Sequence, residues 1–326
     1  MAGADEFETI RTLFAPLAHS PDARALLDDA AVLRASGRLV LTADAIVEGV
    51  HFLPSDPVES VARKALRVNL SDLAAKAADP LGYLLTLCWP RTRPAAELAA
   101  FAAGLAQDQA EFGLSLLGGD TVSTPGPLTV AITAIGASPE GAPTPDRRAG
   151  RPGQDVWVSG VVGDGWLGLQ AALGAASISE AHRSGLIARY RLPQPRLALA
   201  GLLRAHAAAA LDVSDGLAAD AAKLGRASGC GVELRLEAAP LSAAGAAYLG
   251  DPPDAARRVQ LACGGDDYEV LFSADPAARA AIEAGDWGAP VTLIGRLVAG
   301  AGLSVLGADA RALDLDEAGF AHRLGC

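Results

Sequence analysis

Leu114-Ser115-Leu116-Leu117-Gly118-Gly119-Asp120-Thr121 reads as a short apolar strand running straight into two glycines and a carboxylate. Glycines there let backbone N–H groups approach a ligand closely, and the aspartate adds charge at the same point. One such loop is a weak sign, because Gly and Asp are ordinary turn residues. Four more aspartate-bearing loops close apolar runs: Leu27-Asp28-Asp29, Thr42-Ala43-Asp44, Val213-Ser214-Asp215-Gly216 and Gly264-Gly265-Asp266-Asp267-Tyr268. Strand-like segments precede four of the five, namely Leu39-Val40-Leu41, Leu114-Ser115-Leu116-Leu117, Leu211-Asp212-Val213 and Val259-Gln260-Leu261-Ala262. The carboxylates are therefore expected to project from strand ends, where ligands bind in α/β sheets, and to build one acidic site from distant loops.

At 326 residues the chain exceeds the usual size of a single core, so two domains are expected. The run from Ser138 to Asp155 carries Pro139, Pro143, Pro145 and Pro152 with Gly141, Gly150 and Gly153, and sets the expected domains at 1–138 and 139–326. Periodicity predicts strands near 38–44, 82–89, 114–118 and 128–136, with helices over 57–77 and 94–112, in the first domain. Strands near 155–162, 231–236, 268–273 and 290–296 among Ala-rich helices are predicted in the second. The class is α/β.

A composition of 51% hydrophobic and 20% charged residues is globular. With 27 basic against 38 acidic side chains the formal net charge is −11, and no basic stripe offers itself to nucleic acid. An anionic substrate would need divalent cations, and Mg²⁺ held by carboxylates can bridge to phosphates. Cys88, Cys230, Cys263 and Cys326 are widely spaced and fit no zinc pattern, which points to a reducing cytoplasm. The acidic N-terminus and the absence of any run of about 18 apolar residues predict a soluble chain with no membrane partner.

The helix over 57–77 has a start signal in Asp56, Pro57 and Glu59. Val58, Val61, Ala65 and Val68 form its buried stripe, and the next position on that face is Asp72. Asp72 either pairs with Lys76 at i+4, worth about 0.3–0.5 kcal/mol at a surface, or binds metal. An inward charge favours metal.

Gly163-Asp164-Gly165-Trp166-Leu167-Gly168, after the strand Val156-Trp157-Val158, formally matches the dinucleotide fingerprint. The acidic residue required about twenty positions later has no strand end to sit on, so tight strand-to-helix packing is the better account. P-loop and protein-kinase motifs are absent, and no elbow or Cys-His pair marks a nucleophile. His51, seven residues after Asp44, lies near the same expected strand end.

Taken in order, these blocks resemble the thiamine-monophosphate kinases of the aminoimidazole-ribonucleotide-synthetase-like superfamily. The resemblance runs from Glu6-Phe7-Glu8-Thr9-Ile10 through Asp28-Asp29-Ala30-Ala31, Thr42-Ala43-Asp44, Gly49-Val50-His51-Phe52-Leu53 and Val68-Asn69-Leu70-Ser71-Asp72. It continues through Gly118-Gly119-Asp120-Thr121, Arg148, Asp212-Val213-Ser214-Asp215-Gly216 and Gly264-Gly265-Asp266-Asp267-Tyr268-Glu269 to Gly319-Phe320. It implies two α/β domains, the N-terminal ones pairing through a shared β-barrel into a homodimer. It also implies direct transfer of the ATP γ-phosphoryl group to thiamine phosphate with Mg²⁺, and no covalent catalytic residue.

By this resemblance Asp29, Thr42, Asp44, Asp72, Asp120, Asp212 and Asp215 are metal ligands. Gly119, Asp120, Arg148 and Ser214 contact ATP, and His51, Asp266 and Phe320 face thiamine phosphate. The family's first block usually reads Gly-x-Gly-Asp-Asp, whereas Ala25-Leu26-Leu27 precedes the aspartates here. That loss motivates a second expectation, a non-catalytic nucleotide or thiamine-phosphate sensor. Sister activities of the superfamily are a third, because Cys326 resembles the terminal cysteine of hydrogenase-maturation members, although this chain ends His322-Arg323-Leu324-Gly325-Cys326 rather than Pro-Arg-Ile-Cys.

Overall fold

Four strands make the sheet of the first unit: β1 (Arg38–Val47), β2 (Asp79–Pro90), β3 (Ser115–Thr124) and β4 (Thr129–Ser138), in the order β1-β4-β2-β3. β4 runs antiparallel to β1 and to β2, while β2 and β3 are parallel. A parallel pair needs a crossover, and the Ala95–Phe112 helix supplies it. The Val58–Ala75 helix buries Val58, Val61, Ala65 and Val68, the stripe its spacing predicts. Burying each valine fully contributes roughly 1.5–3 kcal/mol. Arg67 clips the two helices together through a buried two-point contact to Asp108 at 2.7 and 2.9 Å.

The second unit holds a seven-stranded sheet of β5 (Asp155–Ser159), β6 (Ala207–Val213), β7 (Gly231–Arg235), β8 (Glu269–Ala274), β9 (Val291–Val298), β10 (Leu303–Leu306) and β11 (Ala312–Leu313). Their order is β11-β10-β7-β9-β5-β8-β6. β5 and β8 are buried along their whole length. Val156 and Val158 pack into a core with Leu211, Leu224 and Leu271, while Trp157 points to the opposite core with Leu203 and Phe272. The sheet is therefore covered on both faces, as an α/β layer requires.

This computed structural model describes residues 6–28, 30–33, 35–175, 177–307, 311–313 and 319. The first unit comprises Met1–Leu73 and Ala78–Ala142, the second Ala74–Ala77 and Pro143–Cys326. Asp29, Phe320 and Cys326 lie outside the described residues. Among the described residues, no helix is long and apolar enough to cross a membrane, and Cys88, Cys230 and Cys263 are free thiols.

Three expectations from sequence need correction. Val259-Gln260-Leu261-Ala262 belongs to the Ala255–Cys263 helix, which Asp254 caps by accepting from the Ala256 and Arg257 amides. A short apolar run is ambiguous between strand and helix, and the cap decides it. Asp44 and Asp120 lie inside β1 and β3 rather than past their ends. The glycines before Asp120 serve strand contact instead of a turn, for Gly119 takes φ +154 and a Cβ there would stand 1.8 Å from the Leu85 carbonyl oxygen. The strand expected over 155–162 stops at Ser159, where Gly160 turns at φ +58.

Arg24, Ala25 and Leu26 take φ of 50, 54 and 56, three consecutive left-handed residues where the family pattern expects a glycine at position 25. The Cβ of an L residue is strained in that region. An Ala25→Gly variant is expected to be stabilised by about 1 kcal/mol, less a few tenths for the freer unfolded chain. A urea midpoint that stays put or falls would contradict this.

Candidate functional site

In the first unit, strand pairing sets Thr42 opposite Ala134 and Asp44 opposite Ile132, so both point to the side on which Ala134 and Ile132 are buried. Thr42 Oγ1 donates to Asp72 Oδ2 at 2.5 Å, joining the strand to the helix face on which the sequence placed an inward carboxylate. Lys76, the alternative partner for that carboxylate, donates instead to the carbonyls of Pro145 and Ala210. The Asp44 amide donates to Asn69 Oδ1 at 3.0 Å, and Asn69 Nδ2 donates to the Ala65 carbonyl. Asn69 thus fixes the backbone of Asp44, a role its place in the sequence block did not reveal.

Asp120 is exposed and registered opposite Thr86. It lines a cavity of about 180 Å³ together with Gly118, Gly119 and Asp28, so two aspartate loops do meet here. Ile10, Phe14, Leu26, Leu85 and Leu116 give the same cavity an apolar side. Asp28 is paired with Arg24 of the left-handed turn. His51 closes the turn after β1: its Nδ1 accepts from the Val47 amide at 3.0 Å, and its carbonyl accepts from the buried Lys64 ammonium at 3.0 Å. The ring proton accordingly sits on Nε2.

In the second unit, Asp212 is buried within β6, and Ser214 and Asp215 follow the strand half-buried. Asp220, one turn into the Leu217–Ser228 helix, accepts from both the Ser214 and Asp215 amides at 2.9 Å. Burial pushes the Asp220 carboxyl upward, against the Lys223 ammonium that holds it at 2.7 Å. Lys223 also pairs with Asp215. The Asp266 loop rests directly on this turn, its amides at Asp266 and Tyr268 donating to the Ser214 and Val213 carbonyls at 2.9 and 2.7 Å. A Cβ on Gly319 would lie 2.4 Å from the Asp215 carbonyl oxygen, so Gly319 seats on the same turn.

The two adjacent aspartates of that loop have different roles. Asp266 is half-buried and accepts from the Tyr268 hydroxyl at 3.2 Å. Asp267 is fully buried and accepts from the amides of Gly163 and Gly165 at 2.8 and 3.0 Å. These amides open the Asp164–Ala172 helix, the one preceded by the dinucleotide-like glycines. Where a pyrophosphate would bind at a helix start, the chain's own carboxylate already sits. Arg148 is exposed and paired with Asp146, whose carboxyl this guanidinium lowers.

Among the described residues, no three His, Cys, Asp or Glu side chains gather closely enough to hold a metal ion unaided. Thr42, Asp44, Asp72 and Asp120 in one unit, and Asp212 and Asp215 in the other, offer hard oxygen donors in small groups. That suits Mg²⁺, which keeps waters and takes one or two carboxylates plus substrate phosphates, and does not suit zinc.

Family models for the N-terminal and C-terminal domains of AIR synthase related proteins match residues 27–138 and 151–307. The mixed sheets described above carry this two-domain fold. The chain is 48% identical over 307 residues to thiamine-monophosphate kinase of Caulobacter vibrioides, covering 92% of this chain and 86% of the relative. The crystal structure of thiamine-monophosphate kinase from Stenotrophomonas maltophilia K279a superposes with a TM-score of 0.77 at 34% identity, covering 88% of this chain and 91% of that one. AaThiL complexed with AMPPCP and TMP gives a TM-score of 0.77 at 29% identity, with 90% of each chain covered. The chain belongs to the thiamine-monophosphate kinase family.

Burial pushes the Asp267 carboxyl from 3.8 up to about 8, although the Gly163 and Gly165 amides and Arg189 pull the other way. Between those values the folded chain keeps a proton that the unfolded chain has released, so this stabilisation is full at low pH and is lost as pH rises through about 8. In Asp267→Asn, which keeps one acceptor oxygen but sets an NH₂ group in place of the other, stability should fall less steeply with pH than in the wild type. Urea unfolding of both proteins from about pH 5 to about pH 8 measures it; equal slopes would refute the assignment.

Proposed function

We propose that the chain transfers the γ-phosphoryl group of ATP to thiamine phosphate, giving thiamine diphosphate and ADP. The observation that carries this reading is its likeness over 90% of its length to a structure holding AMPPCP, an unreactive ATP analogue, together with TMP. The curated relatives, named thiamine-monophosphate kinase, support it.

Phosphoryl transfer passes through a loose transition state that needs alignment and charge stabilisation more than a protein nucleophile. Asp29, Thr42, Asp44, Asp72, Asp120, Asp212 and Asp215 would hold Mg²⁺. Bound Mg²⁺ would supply neutralisation of the clustered phosphate charge. Gly119, Ser214 and Arg148 would contact the nucleotide. The apolar side of the 180 Å³ cavity has room for a nucleobase, since an apolar cavity of about 150 Å³ takes a benzene ring. His51, carrying its proton on Nε2, suits a phosphate oxygen. Asp266 supplies negative charge for the cationic thiazolium and the aminopyrimidine, and Phe320 an aromatic face.

The chain also fits a homodimer. Leu39, Leu41, Leu84 and Val122 are 45, 62, 39 and 41% exposed on the first sheet. Strand pairing puts Leu41 beside Ile135, and Leu84 beside Thr133 and Ala43, on one face. A second copy would cover this face and extend the sheet toward a shared barrel. The free thiols fit a cytoplasmic setting.

Purified protein with ATP and Mg²⁺ is expected to release ADP only when thiamine phosphate is present. Saturable binding of both ligands without release would instead make the chain a sensor. Asp72→Asn should lower kcat by about a hundredfold or more while keeping the wild-type circular dichroism, and near-normal turnover would remove Asp72 from the site. Leu41→Glu is expected to run as a monomer in light scattering at micromolar concentration, and an unchanged mass would place any dimer contact elsewhere.

A further inference from the structure

The Asp266 loop is bent in a way that its own residues do not favour. Asp266 takes φ +70 and Tyr268 φ +51, both left-handed, with neither residue a glycine. Side chains from elsewhere hold it. Arg189, on the Glu180–Arg191 helix, donates from Nη2 to the Asp267 carbonyl oxygen at 2.6 Å and to Glu269 Oε1 at 2.8 Å. Glu269 is fully buried and takes two further contacts from Arg196 at 2.6 Å and one from the Ser159 hydroxyl at 2.6 Å, so its charge is balanced without Arg189. Arg189 Nη1, by contrast, is buried with no partner among the described residues. An unmade buried donor costs stability. The side chain is therefore placed for its grip on the loop rather than for full hydrogen bonding. From the other side, Gly165 lies so close that a Cβ would stand 2.1 Å from the Asp266 carbonyl oxygen.

We propose that Arg189 is a positioning residue for thiamine phosphate, holding the Asp267 carbonyl so that the left-handed turn keeps Asp266 aimed at the substrate. The proposal rests on the kinase reading, in which Asp266 faces thiamine phosphate. Without Arg189 the turn relaxes toward negative φ and the carboxylate swings away.

The test compares R189M, R189K, R196M and G165A as full-length proteins. R189M is expected to raise KM for thiamine phosphate about tenfold, the population shift that a left-handed turn of L residues implies once released. Its KM for ATP should stay within twofold, and R189K should recover part of the loss. R196M touches Glu269 but not the loop carbonyl, so it should lower Tm and leave both KM values alone. G165A pushes on the same turn and should raise KM for thiamine phosphate even if R189M does not fold. Unchanged KM in R189M or G165A, or the same KM change in R196M, would overturn the proposal. Hydrogen exchange at the Asp266 and Tyr268 amides separates the two readings. It should speed up in R189M whether or not the protein turns over, and unchanged exchange refutes the positioning role. Wild-type protein with no thiamine-phosphate-dependent ADP release refutes the kinase reading.

Discussion

A single buried carboxylate organises the second unit. Asp267 receives the amides of Gly163 and Gly165, which open the Asp164–Ala172 helix, and its carbonyl is held by Arg189. A polar group in so dry a place is costly unless hydrogen-bond partners satisfy it. Those donors come from chain segments far from Asp267 in sequence, so satisfying it brings the helix start and the Asp266 loop into one arrangement. Asp266, next to it, stays partly open to solvent. One aspartate gives up solvent and fixes the frame in which its neighbour is presented.

The first unit reaches a comparable rigidity by close backbone approach. Gly119 lies against the Leu85 carbonyl, and the parallel pairing of β2 with β3 carries that contact up to Asp120. Asn69 and Asp72, on successive turns of one helix, reach Asp44 and Thr42 on β1. Asp44, Asp72 and Asp120 are thus mounted on helix and strand, which suits groups that must hold charge at fixed points.

Much of this was legible in the sequence because the relevant signals are local. The stripe Val58, Val61, Ala65, Val68 gave both the helix and the inward position of Asp72, and the glycine pairs marked places of close approach. The strand ends were misread at Asp44 and Asp120 because propensity treats Gly-Gly-Asp as a turn, whereas tertiary contact with Leu85 keeps the strand going. Val259-Gln260-Leu261-Ala262 was misread because four apolar residues have no period of their own; the deciding residue was Asp254, outside the run. Asn69 and Arg189 were invisible for a different reason. Each acts on a backbone group that only folding brings near, and no spacing rule records it.

The contact between Gly319 and the Asp215 carbonyl sets an order of events during synthesis. Chains emerge from the ribosome N-terminus first, and domains fold as their residues become available. The Asp215 turn can form with its helix early, yet the surface on which Gly319 sits stays bare until translation has reached Gly319. Nascent protein in the cell therefore passes through a stage in which the acidic turn is built but uncovered.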